Sequence, residues 1–437
     1  MNNLNEWVEK HVLPLAAKIS KQRHLVAIQN ALLLSLPMMM IGSYALILAY
    51  PPVDYKTFAT SSIWYSFFKG WTDFAIAAGG PLNFLFDVTL GALSVYVAIG
   101  VAYFLTKHYK LQPFIPMTIV FASFLLLNSE EIEGGFSNSY FSGTGLFAAM
   151  FLSIVICEFY RFLIEKKIGR IKLPDSVPDA ISASFESLIP AAIIMTVVTI
   201  FSYLLNSIFS INLPTLILAM VKPIIHFTDN LFGVTIVTLI TQVLWWFGIH
   251  DTAVGAIIDP IRNANLAANA TAYASGVALK NLPYIFTTPF YYIFGTIGGS
   301  GATLALVFLL LRSKSTQMKT VGKIALAPAL FNINEPILFG LPIVLNPLFF
   351  IPFLSAQTLN IIITYLCMVG GIINKTMVDP GWNMFAPIGA LISTLDIKAM
   401  ILLLLLVVMD GLIYYPFIKI YERKILTEDA ENETSEA

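Results

Sequence analysis

Asn332-Ile333-Asn334-Glu335-Pro336-Ile337-Leu338-Phe339-Gly340 breaks into a chain that is otherwise greasy, and so does Trp245-Trp246-Phe247-Gly248-Ile249-His250-Asp251. Each stretch sets an ionisable side chain where the flanking sequence reads as lipid or packed protein. Such a residue at membrane depth is expensive and by default marks a substrate or ion pathway. Pro336, Gly248 and Gly340 predict a broken backbone there, which is tolerated only inside protein or along a cavity. The two stretches therefore read as halves of one binding site. The membrane premise rests on composition. The chain is 57% hydrophobic and 12% charged over 437 residues, with mean hydropathy +0.78, whereas a soluble domain carries about 25% charge. A formal net charge of −1 and no basic domain exclude nucleic acid as a partner. Cys157 and Cys367 lie in apolar runs, outside any Cys-x-x-Cys pair, so neither a disulfide framework nor a thiolate metal site is expected. No metal or cofactor is implied.

Outward from these breaks, the two halves of the chain differ. Residues 1–24 place Leu4, Trp7, Val8, Val12, Leu15 and Ile19 at helical spacing opposite charges, which predicts an amphipathic helix on the membrane surface. No cleavable signal pattern is present. Leu25–Tyr50, Leu82–Leu105, Pro113–Asn128, Phe141–Ile164 and Leu188–Phe209 are apolar runs near the ~20 residues that a span needs. Residues 53–80, rich in aromatics, read as an interfacial loop or short helix. Basic loops at 106–112 and 161–187 and the acidic loop at 129–140 put both termini on the cytoplasmic side of the cell membrane by the positive-inside rule. After residue 211 the apolar segments shorten and are cut by Pro, Gly and polar residues. Interrupted helices point to the binding site in transporters. The polar stretch 250–281 and the Asn-Glu-Pro stretch at 324–345 are read as two re-entrant hairpins. The expected fold is thus an all-α integral membrane protein of about ten transmembrane helices, two re-entrant hairpins and the N-terminal amphipathic helix. Its expected parts are the surface helix (1–24), a transmembrane scaffold (25–210), a transport domain (211–425) and a disordered acidic tail (426–437).

Within the breaks, His250 exchanges protons near neutrality, since its unperturbed pKa is ~6.5. Glu335 accepts a hydroxyl's hydrogen bond or takes its proton. A hydrogen-bonded core residue is the plainer alternative for each. Trp245 and Trp382 border polar breaks, where aromatic rings cover the apolar face of a sugar while polar groups take its hydroxyls; interfacial anchoring is the alternative. Asn263, Asn265, Asn332, Asn334 and Asn383 each donate and accept, as hydroxyl recognition requires, although caps and turns use Asn constantly.

The amphipathic start, the Gly-Ile-His-Asp break and the Asn-Ile-Asn-Glu-Pro-Ile-Leu-Phe-Gly motif together resemble the IIC membrane component of the phosphoenolpyruvate-dependent sugar phosphotransferase system. The likeness covers essentially the whole chain and is strongest to the lactose, cellobiose and diacetylchitobiose branch. It implies a homodimer joined through N-terminal spans, with the C-terminal spans holding a β-linked disaccharide. It implies that Glu335 and His250 contact the sugar and support phosphotransfer to its C6 hydroxyl; the residue chemistry above adds Trp245, Asn334, Trp382 and Asn383 as the expected lining. The donor would be the phosphocysteine of a separate IIB protein, because no soluble domain follows the last span. Lys280 or Arg262 would face the incoming phosphate. A proton-coupled disaccharide symporter, with His250 and Glu335 as its relay, is the alternative.

Overall fold

Helices form over most of the apolar runs, several of them continuing through an internal proline such as Pro37, Pro81 and Pro190. The structure, a computed structural model, describes residues 21–51, 54–171, 173–174, 177–249 and 252–436. The surface helix expected over 1–24 lies largely outside the described residues. Among these, six helices are long and apolar enough to cross a membrane, or up to seven if the bent pair Leu213–Thr228 and Leu231–Trp246 counts as one span. The described chain falls into two units. One holds residues up to Ile225 together with Ala253–Ala274; the other holds His226–Thr252 and Ser275 onward.

In the first unit, α1 (Arg23–Ala49) begins at Gln22, whose side chain accepts from Leu25 N at 2.7 Å. Next comes α2 (Ile63–Asp87), capped by Ser62. It is a full helix where the sequence predicted a loop or short helix over 53–80. The helix runs through Gly79, Gly80 and Pro81 to Asp87; the apolar run expected as one span from Leu82 is cut at 88–92, and α3 starts at Leu93 and ends at His108. α4 (Phe114–Asn128), a short β hairpin and α5 (Leu146–Glu165) follow. The hairpin pairs β1 (Glu131–Ile132) with β2 (Gly135–Phe136), Glu131 opposite Phe136. α6 (Asp179–Leu204) and, as far as Ile225, α7 (Leu213–Thr228) complete the run.

Lipid tails are as apolar as leucine, so helix association here draws on close packing of small residues. Ala27, Ala31, Ala98, Ala102, Ala148 and Ala149 supply it in the core. A Cβ at Gly100 would sit 2.8 Å from the Ala31 Cβ, so α1 and α3 touch backbone to backbone. At their ends Glu158 gathers Arg23 (3.1 Å), His24 (2.6 Å) and Arg161 (3.4 Å) and accepts from Tyr109. The polar stretch read as a hairpin over 250–281 is instead one helix, α9 (Thr252–Ala274). Ala264, Ala267 and Ala270 recur every three residues and lie buried in this unit's core. A flank of small residues lets a polar helix pack tightly, which hydropathy alone does not register.

The second unit contains α8 (Leu231–Trp246), a wide turn at Phe290–Gly295, α10 (Leu304–Leu311), α11 (Thr316–Leu330), α12 (Glu335–Gly340), α13 (Pro347–Val369), α14 (Ala386–Thr394) and α15 (Ile397–Glu436). Phe286, Phe290, Phe294, Phe349, Phe353 and Tyr414 are fully buried in it. α15 runs through Thr427 to Glu436, where the acidic composition predicted no regular structure. Extending an existing helix needs no new nucleus.

Candidate functional site

The turn between α11 and α12 carries the Asn-Glu-Pro motif. Leu330 ends α11, Asn332 turns the chain at φ +61°, and Glu335 opens α12 ahead of Pro336. Proline fits the first turn of a helix because its missing N–H would be unpaired there anyway. α12 folds back along α11, and a Cβ at Gly340 would lie 3.0 Å from Val321 Cγ1. Glu335 is therefore at the tip of a helical hairpin. Its side chain is exposed, and no hydrogen bond or ion pair holds its carboxylate among the described residues.

The two asparagines beside it are structural. Asn332 accepts from Gly298 N at 2.9 Å and donates to Trp382 O at 2.8 Å. Asn334, 3% exposed, donates from Nδ2 to Ser300 O at 2.7 Å and to Thr303 Oγ1 at 3.0 Å. Asn332 is thus spent on backbone, and the Asn334 N–H₂ is spent on the Ser300 carbonyl and the Thr303 hydroxyl; the sequence suggested both as hydroxyl binders. Their target is the loop Thr296–Thr303, where Gly298, Gly299, Gly301 and Ala302 all have positive φ. A Cβ at Gly299 would meet Asn334 Cγ at 2.3 Å, so glycine is required for contact as well as for φ. The sequence signal, Gly298-Gly299-Ser300-Gly301, suggested close helix approach. It is instead a backbone hub that joins the Glu335 turn to the loop bearing Trp382.

Trp382 and Asn383 are both exposed. Their loop is shaped by Asp379, which accepts from Gly381 N at 2.8 Å. The hub thus holds Glu335, Trp382 and Asn383 on neighbouring loops.

The other break meets this region from the far side of α12. α8 ends at Trp246, whose carbonyl accepts from Leu345 N at 2.9 Å and whose Nε1 donates to Asn346 O at 3.1 Å. The Trp246 ring packs edge-on against Phe350, with centroids 4.8 Å apart. Gly248, at φ +79°, would bring a Cβ within 3.3 Å of Val344. The chain that leads to His250 is thus fastened to the segment that follows Glu335. Trp245 is buried. His250 and Asp251 lie outside the described residues.

Lys280 is not brought to the Glu335 turn. It is exposed and lies beside Gly371, past the end of α13, whereas the hub meets α13 at Gln357. At 1.5 Å per residue those points are roughly 20 Å apart along the helix. Arg262 is buried in the first unit and paired with Asp259 on the same helix. No group of three or more His, Cys, Asp or Glu side chains that could hold a metal ion is found among the described residues.

The family described as "Phosphotransferase system, EIIC" matches residues 29–357. The lichenan permease IIC component of Bacillus subtilis (strain 168) is 33% identical over 461 residues, covering 99% of this chain and 97% of that protein. The cellobiose-specific EIIC component of Geobacillus stearothermophilus is 33% identical over 453 residues, covering 99% and 98%. The crystal structure of ChbC, the IIC component from the N,N'-diacetylchitobiose-specific phosphotransferase system, superposes with a TM-score of 0.86 at 30% identity, covering 97% of this chain and 99% of that one.

Proposed function

This chain belongs to the EIIC family of the phosphotransferase system, the membrane permease component, and on that premise we propose that it carries a β-linked disaccharide inward and presents it to a phosphorylated IIB protein. One observation supports this above the rest. The end of α8, which leads to His250, is hydrogen-bonded to Leu345 and Asn346, which follow Glu335. That contact supports reading the two breaks, separated in sequence, as one neighbourhood. Relatives similar along their whole length carry lichenan, cellobiose and diacetylchitobiose in their names, and all three are β-linked.

The chemistry follows from the side chains. The sugar's C6 oxygen attacks phosphorus on the IIB phosphocysteine. The S–P bond breaks to release the cysteine thiolate, the O–P bond forms, and the proton of the C6 hydroxyl passes to Glu335. Such transfer is mainly positioning with a carboxylate to orient or deprotonate the hydroxyl. The exposed carboxylate of Glu335, free of protein partners among the described residues, suits that role. His250 orients the hydroxyl or donates to phosphate. Trp382 covers the sugar face, with Trp245 and Asn383 lining the site and Asn334 fixing the Glu335 turn through the hub. The product carries about −1.5 to −2 charge, so it cannot recross an apolar path.

The fold bears on topology. We read five spans before residue 211, three between there and Arg312 and two after it, about ten in all, counting the bent pair once and α9 as a span. α11 and α12 form a re-entrant hairpin. α11 is about 22 Å long, starts beside exposed Lys314, carries exposed Lys319 and Lys323, and ends at the Glu335 turn. This basic end is the cytoplasmic approach for phosphorylated IIB, and both termini lie on that side. α2, whose buried residues are Ala75 and Phe86 alone, offers its apolar face to lipid or to the second subunit of a homodimer.

The test is Glu335→Gln in vesicles with phosphorylated IIB and labelled cellobiose or diacetylchitobiose. Sugar binding persists and phosphorylated product falls at least about 100-fold, the usual contribution of a general base. Product formed at the normal rate removes Glu335 from this role. Accumulation of unmodified sugar under a pH gradient, without IIB, favours proton symport instead. Competition among β-disaccharides decides which is carried.

A further inference from the structure

Two helices of the second unit face each other through polar side chains that the sugar site does not use. α13 presents Gln357, Asn360 and Thr364 at helical spacing, and α15 presents Asp410 and Tyr414; all five are 0% exposed. Asn360 Nδ2 donates to Asp410 Oδ2 at 3.0 Å. The remaining oxygens, Asp410 Oδ1, Asn360 Oδ1 and Thr364 Oγ1, have no hydrogen-bond partner. The Thr364 hydroxyl does not bond back to its own helix, unlike that of Thr358, which reaches Leu354 O at 2.6 Å. No basic side chain pairs with Asp410 among the described residues. A bare carboxylate here would be heavily penalised.

We propose that Asp410, Asn360 and Thr364 form a site for one monovalent cation, an alkali ion or a proton. The donors are a carboxylate, an amide carbonyl and a hydroxyl, all hard oxygens. One carboxylate neutralises one charge, which argues against Ca²⁺ and its larger oxygen shell. The surroundings add no competing charge. α8, α10 (Leu304–Leu311) and α14 (Ala386–Thr394) contain no ionisable residue, and the titratable neighbours are tyrosines: Tyr414 one turn along α15, Tyr365 on α13, and Tyr291 and Tyr292 in the Phe290–Gly295 turn packed against α13. The site also touches the hub. Gln357 accepts from Gly301 N at 2.8 Å, and Tyr414 donates to Gly301 O at 2.6 Å. Occupancy therefore steadies the loop to which Asn334 is bonded.

The experiment needs no sugar and so stands apart from the functional reading. Thermal unfolding of the purified full chain is followed in sodium, potassium, lithium and choline chlorides at equal ionic strength, then in choline from mildly acidic to mildly alkaline pH. The unfolding temperature rises saturably, by several degrees, with an alkali ion or with falling pH. A response at fixed pH identifies the metal ion; a response to pH alone identifies the proton. Asp410→Asn abolishes it. If that variant does not fold, Thr364→Val shifts the midpoint of the same titration several-fold. Unfolding indifferent to all cations and to pH, a response surviving in Asp410→Asn, or an unmoved midpoint in Thr364→Val overturns the site and leaves bridging water as the occupant.

Discussion

Asn334→Ala deletes two hydrogen bonds at once, to Ser300 O at 2.7 Å and Thr303 Oγ1 at 3.0 Å. In helical membrane proteins a side-chain hydrogen bond averages about 0.6 kcal/mol and reaches ~1.7. The loss also leaves a buried carbonyl unpaired, which adds ~1–3 kcal/mol. The expected loss of stability is therefore about 2–4 kcal/mol, and at 2–4 °C per kcal/mol for a unit of this size the melting temperature falls by roughly 4–16 °C. Glu335 is the next residue, so freeing Asn334 from the hub also loosens the carboxylate, and a misplacement of about 1 Å costs on the order of 100-fold in rate. The assay pairs thermal unfolding with sugar binding and transfer from phosphorylated IIB, all below the variant's melting temperature. Product formation falls about 100-fold while sugar affinity changes far less. An unchanged melting temperature refutes the hydrogen-bond reasoning. A lowered melting temperature with normal product formation refutes the link from hub to carboxylate.

Gly299→Ala forces a Cβ to within 2.3 Å of Asn334 Cγ at φ +101°, so its product formation falls with that of Asn334→Ala; full activity contradicts the tight contact. Trp382→Ala removes the exposed ring and weakens sugar binding roughly fivefold, about 1 kcal/mol, with little effect on turnover at saturating sugar. An unaltered dissociation constant takes Trp382 out of the site. Gly100→Ala places a methyl 2.8 Å from the Ala31 Cβ and destabilises by about 1–3 kcal/mol through overpacking. A melting temperature equal to the parent's means that α1 and α3 are further apart than described.

The two chain breaks themselves were legible in the sequence. A carboxylate flanked by Asn and Pro inside apolar sequence is anomalous enough to locate the α11–α12 turn, and the Trp-Trp-Phe-Gly run locates the end of α8. The partners of those residues were not legible. Asn334 looked like a sugar ligand, because its type says only that it can donate and accept, and its true acceptors lie some thirty positions away in sequence. Lys280 looked near enough to meet phosphate, since sequence carries no measure of distance along α13. The α9 stretch looked like a hairpin because hydropathy weighs each residue against lipid, and this helix packs against protein.

Membrane class, helical content and the two breaks follow from local chemistry: each depends on how a short stretch partitions between water, lipid and its own hydrogen bonds, which composition records. Which break meets which, which amide is spent on backbone, and where a buried carboxylate finds its neighbours depend on contacts between distant residues. Those are settled when helices close on one another through glycine and alanine surfaces, and no local property of the chain encodes that geometry in readable form.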